Sequence, residues 1–96
     1  VQGIDLVAEN NRFSMSAIAV PGDALIHIRL TSMDPEPHNL SVYETEAAEE
    51  DIFVGELVTG PDQTVVYELT SPATAGTYFF RCDVHPAEMR GDFIVG

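Results

Sequence analysis

Between residues 24 and 30 apolar and polar positions alternate almost without exception. Ala24, Ile26, Ile28 and Leu30 fall on one face, with Leu25, His27 and Arg29 on the other. That period of two marks a half-buried strand, because successive side chains of an extended chain point to opposite faces. Residues 64–69 repeat it, with Val65, Tyr67 and Leu69 opposite Thr64, Val66 and Glu68. Shorter apolar runs at 4–8, 18–20, 40–43, 51–57, 77–82 and 92–95 read as further strands. Turn residues punctuate them at Pro21-Gly22-Asp23, Gly60-Pro61-Asp62 and 71–76. Residues 31–37 read as a loop stiffened by Asp34-Pro35 and Glu36-Pro37, since proline fixes its own dihedral and restricts its predecessor. The Ala- and Glu-rich segment near residues 44–51 favours a short helical turn, too brief and too negative to stand alone. Short strands separated by turns predict an all-β sandwich or barrel.

Composition narrows the partners more than the fold. Ninety-six residues at 45% hydrophobic content predict a single domain, 1–96, around one core. Sixteen acidic residues face four arginines and no lysine, a net charge of -12. Such a field repels nucleic acid and anionic membrane surfaces and steers basic partners towards it. Glu44, Glu46, Glu49, Glu50, Asp51 and Glu56 are its densest part. That cluster reads either as a solvated surface suited to a salty habitat or as a docking patch for a basic partner. No run approaches the ~20 apolar residues of a membrane helix. The start at Val1 rather than Met leads us to expect a mature or excised piece, with room for a signal or membrane anchor upstream. With one Cys there is no internal disulfide, and cysteine usage leaves the compartment open.

The chemistry concentrates after the strand at 77–82. Cys82, His85 and Met89 follow one another closely, and a second imidazole, His38, lies upstream in Pro37-His38-Asn39-Leu40. Each alone is most simply read as packing, since a lone Cys behaves as a small buried hydrophobe. Together they make up most of the soft donors of a chain with one Cys, three His and three Met. Two His and one Cys with a weak axial Met favour a blue-copper electron-transfer site. Structural zinc prefers four strong N or S donors. His27 shares the face of Arg29, opposite the aliphatic stripe, and is read as solvent-facing and outside the donor set. Tyr78, Phe80 and Cys82 share one strand face, which would pack the thiolate against aromatic core.

Over nearly its whole length the chain resembles the cupredoxins of the plastocyanin and amicyanin kind. The resemblance is carried by Ala8-Glu9-Asn10-Asn11-Arg12-Phe13 with Ile18-Ala19-Val20-Pro21-Gly22-Asp23, by Pro37-His38-Asn39-Leu40, and by the stretch from Gly76 through Tyr78, Cys82 and His85 to Pro86. It implies a Greek-key β-sandwich holding one type 1 copper ion per chain. His38, Cys82 and His85 would be the equatorial ligands and Met89 the axial one. Asn39 would tie the two ligand loops by hydrogen bonds, and Pro86 and Ala87 would form the partner-facing rim beside His85. Three residues separate His85 from Met89, between the spacings of amicyanins and plastocyanins. Arg81 stands where plant plastocyanins have a Tyr used as a second electron route, so that route is not carried over.

The resemblance further implies a monomeric, non-enzymatic carrier of single electrons in an extracytoplasmic compartment, periplasmic or at the cell surface. Its partner would be a redox protein such as a basic cytochrome or a membrane electron-transfer complex. Two rival classes stay open. A copper-binding or delivery protein would need an exchangeable site, with Met15 and Met33 as the only further thioethers. A domain of a larger copper oxidoreductase would need additional His ligands, of which only His27 is left.

Overall fold

In the computed structural model, which describes residues 2–96, alternation becomes two packed sheets. The first has the order β2-β1-β4-β9, built from β1 (Gln2–Glu9), β2 (Arg12–Phe13), β4 (Leu25–Ser32) and β9 (Gln63–Thr70). The second has the order β3-β11-β10-β6-β7, built from β3 (Ala17–Val20), β6 (Ser41–Tyr43), β7 (Asp51–Val54), β10 (Gly76–Arg81) and β11 (Arg90–Val95). A small ladder of β5 (Pro37–His38) with β8 (Val58–Thr59) lies apart from both. β1 runs parallel to β4 and β3 parallel to β11, while the other pairs are antiparallel. The chain thus crosses repeatedly between sheets, as the Greek-key sandwich requires.

The alternating strands bury the faces that their pattern selects. Ile26, Ile28 and Leu30 of β4 and Tyr67 and Leu69 of β9 point inward, and Leu6 and Ala8 of β1 join them. Ile18, Val20, Val42, Phe80, Phe93 and Val95 meet them from the second sheet in one cluster. Each such aliphatic or aromatic side chain contributes about 1.5–3 kcal/mol on burial. Gly91 faces Phe80 across the β10–β11 ladder. A Cβ there would stand 2.7 Å from the Phe80 ring and collide with the Ser16 carbonyl, so only glycine lets the ring lie flat on the neighbouring strand.

Three local features differ from expectation. The acidic segment 44–51 forms no helix. It makes a single turn in which Ala48 N–H donates to the Thr45 carbonyl (3.0 Å), and Ala48 at φ 55° leaves the right-handed path a helix needs. Residues 31–37 are only partly loop, because β4 continues to Ser32 and Pro37 pairs with Thr59. On β10, Tyr78 is half-buried and its hydroxyl donates to the Thr74 carbonyl (2.6 Å). Phe79, on the opposite face, is buried, with the Arg90 guanidinium 5.0 Å from its ring centroid.

Candidate metal centre

The β5–β8 ladder fixes His38 by its backbone, pairing it with Val58. Its side chain is fully buried, and Nε2 lies 2.7 Å from Asp34 Oδ1. Cys82, one residue past β10, is buried in the same region. The loop after it is closed at its base: Cys82 N–H donates to the Met89 carbonyl (2.9 Å), and Met89 N–H to the His85 carbonyl (3.0 Å). Closure turns the Met89 side chain into the core, where it is fully buried beside Cys82 in the apolar cluster. His85 stays at the edge, its side chain 15% exposed. Val84, Pro86 and Ala87 around it are exposed.

These elements bring His38, Cys82 and His85 together, with one donor atom from each lying within 4.8 Å of the others. Cys82 Sγ is 3.7 Å from His85 Nδ1, and the two imidazole rings are 5.1 Å apart at 49°. A first-row ion bound at about 2.0 Å to nitrogen and about 2.3 Å to sulfur would span N···S separations of about 3.5–3.7 Å. Among the described residues, His38 Nδ1 is buried without a hydrogen-bond partner. Buried polar atoms are seldom left so, because the desolvation goes uncompensated. With Nε2 held by Asp34, Nδ1 is the nitrogen free for a metal, so the residues present fit a soft transition-metal ion.

A second set of contacts ties the two donor segments together. Asn39 Oδ1 accepts from Asp83 N–H (2.8 Å), and Asn39 Nδ2 donates to Asp83 Oδ2 (3.0 Å) and to the Gly55 carbonyl (2.8 Å). Gly55 has no room for a Cβ, which would fall 2.8 Å from the Tyr67 ring and against the Leu40 carbonyl. Asp83 also accepts from Ser41 Oγ (2.6 Å), Tyr43 Oη and Arg81 Nε (2.9 Å). Partial burial pushes the Asp83 carboxyl upward, but these donors outweigh it and hold its pKa down at about 2. Burial and the neighbouring Asp83 carboxylate push the Tyr43 phenol up from its ordinary value. Asp83, Tyr43 and Asp34 were not singled out from the sequence. Asn39, Ser41 and Tyr43 lie 40–44 residues from Asp83, and the β6–β10 pairing brings it beside Ser41 and Tyr43, whereas Asp34 lies only four residues before His38.

His27 stands away from this centre on the outer face of β4, its Nε2 2.8 Å from Glu68 Oε2 on β9. In the acidic segment, Glu46 is met by Arg90 (2.8 Å), a cation that sequence proximity does not reveal.

The comparisons with known proteins agree with this fold. Among solved structures, the chain superposes on reduced auracyanin from the photosynthetic bacterium Roseiflexus castenholzii with a TM-score of 0.85 at 21% identity, covering 100% of this chain and 98% of that one. Auracyanin A, a "blue" copper protein of Chloroflexus aurantiacus, gives 0.84 at 21% identity over 98% of each chain. Amicyanin from Paracoccus versutus gives 0.67 at 22% identity, covering 98% of this chain and 81% of that one. At such identities the likeness speaks for the fold. No curated protein sequence matches. The model of the cupredoxin-like domain matches residues 1–95, and with it the chain belongs to the cupredoxin-like domain family.

Proposed function

We propose that this chain is a type 1 copper protein, holding one copper ion through His38, Cys82, His85 and Met89 and carrying single electrons between redox proteins. The observation that carries the reading is the gathering of one donor atom each from His38, Cys82 and His85 within 4.8 Å, with His38 Nδ1 buried and without a hydrogen-bond partner among the described residues. Copper supplies a one-electron couple there, with thiolate and thioether suiting Cu(I) and imidazole suiting both states. The chain's own residues do the rest. The apolar cluster around Cys82 and Met89 excludes water, and the Asn39–Asp83 bonds hold the two donor segments at fixed separation. A site held this way need not rearrange when charge is gained or lost. His85 is the donor nearest solvent, so the exposed residues Val84, Pro86 and Ala87 form the face where a partner would approach.

The enclosure of His38, Cys82 and Met89 favours electron transfer over an exchangeable delivery site. His27, engaged by Glu68, offers no second centre for an oxidoreductase, and we assign no enzymatic activity. The setting we propose is extracytoplasmic, with a redox protein as partner and 1–96 as one domain. Among the described residues no helix is long and apolar enough to cross a membrane.

Titrating the metal-free protein with Cu(II) tests the reading. An intense blue or green band should saturate at about one equivalent, as a His₂Cys site predicts, and a mild reductant should bleach it. A colourless complex would sink the proposal. Met89→Leu should keep copper and colour but raise the reduction potential, because a weak axial donor that favours Cu(II) is lost. An unchanged spectrum and potential, measured by redox titration, would remove Met89 from the donor set.

A further inference from the structure

Residues 34–36, just before β5, place one carboxylate near the outer nitrogen of each imidazole, on unequal terms. Asp34 Oδ1 meets His38 Nε2 at 2.7 Å, and the Asp34 side chain is only 13% exposed. Glu36 Oε1 stands 3.9 Å from His85 Nε2, beyond hydrogen-bond reach, and its side chain is 55% exposed. Asp34 is moreover held from three directions. Its Oδ1 accepts from Glu36 N–H (3.1 Å), and its Oδ2 from Asn11 N–H (3.4 Å) in the β1–β2 turn. Its carbonyl accepts from Ser32 Oγ (3.2 Å) at the end of β4. Pro35 and Pro37, both between Asp34 and His38, remove backbone freedom from the segment that joins them.

An ionised carboxylate only accepts, so His38 Nε2 carries the proton of this bond, and in the neutral ring Nδ1 then presents its lone pair. A carboxylate behind a ligating imidazole fixes its ring and raises its basicity. A more basic donor, with a partly buried negative charge behind it, stabilises the more highly charged metal state. We propose that Asp34 is a positioning residue that commits His38 to the Nδ1 lone-pair tautomer and biases the bound ion towards its oxidised state. The inference rests on the type 1 copper reading for its second half only.

Two measurements test it separately. Nitrogen NMR of the His38 ring in the metal-free wild-type protein should show the Nε2–H tautomer. An Nδ1–H tautomer there would overturn the proposal, with or without copper chemistry. In copper-loaded protein, Asp34→Asn keeps an oxygen acceptor and removes the charge. Colour should persist while the ratio of Cu(II) to Cu(I) affinity falls about tenfold, a rise of ~59 mV for one electron. That shift should survive 1 M salt, where the Debye length is about 3 Å. Glu36→Gln should shift the potential less, and the shift should vanish in salt. An unchanged Asp34→Asn potential, or one whose shift vanishes with salt as that of Glu36→Gln does, overturns the proposal. If Asp34→Asn fails to fold, the wild-type tautomer decides. Absence of the intense band in wild type would instead refute the copper reading and leave the tautomer result standing.

Discussion

Replacing Cys82 with serine should abolish the intense visible band of the copper-loaded protein while leaving the sandwich folded. Cys82 is the chain's one thiolate, and a hydroxyl is a poor ligand for a soft metal. Serine is close to cysteine in size, so the buried position it enters should not collapse. The backbone bond from residue 82 to the Met89 carbonyl is untouched by the change. Absorption spectroscopy reads the loss of the band and circular dichroism the retained β structure. A variant that kept the band would show that the colour arises elsewhere.

The second large effect belongs to Asp83. Its carboxylate gathers Asn39, Ser41, Tyr43 and Arg81, with its own N–H bonded to Asn39. Asp83→Ala leaves those donors without an acceptor, and removing one partner costs more than the pair contributes net. Water reaches a side chain that is 27% exposed, which moderates the loss. We expect about 2–4 kcal/mol of destabilisation, or a Tm lower by on the order of 10–20 °C. The wild-type protein should show the same linkage in acid. Asp83 is held down to about 2 from the ordinary 3.8, so its contribution is complete above about pH 4. It is lost as the pH falls towards 2, with a size of about 1–2 kcal/mol once solvent screening is allowed for. Thermal melts between pH 5 and pH 2 read both effects. A wild-type acid profile matching that of Asp83→Ala would separate the network from stability.

What the sequence discloses depends on the distance over which each feature is written. Strands β4 and β9 alternate for long enough to fix their inward faces, and the outward placement of His27 follows from parity alone. Cys82, His85 and Met89 are legible as a group because one short loop carries them. The two-residue strands β2, β5 and β8 carry no periodicity to read. One signal did exist. Asn10 and Asn11, both at φ 56°, form the two-residue turn of the β1–β2 hairpin, and Asn tolerates that conformation better than most residues. Asp34 and Asp83 were hidden for another reason. Among sixteen acidic residues, nothing local distinguishes a carboxylate that will meet buried donors from one that will meet water.

The pairing of β3 with β11 has a consequence for how the molecule assembles. Residues 17–20 lie parallel to residues 92–95, so strands from opposite ends of the sequence are neighbours in one sheet. Such a ladder has no hairpin to nucleate it, and the entropy of closing nearly the whole chain precedes any gain from its contacts. Folding should therefore be slow for a chain of this size, in the ~millisecond-to-second range of non-local β proteins. The donor loop 82–89 connects β10 to β11, the strand that waits for this closure. During synthesis the thiol emerges before the strand that seals it in, which leaves a late interval in which Cys82 is present but not yet enclosed.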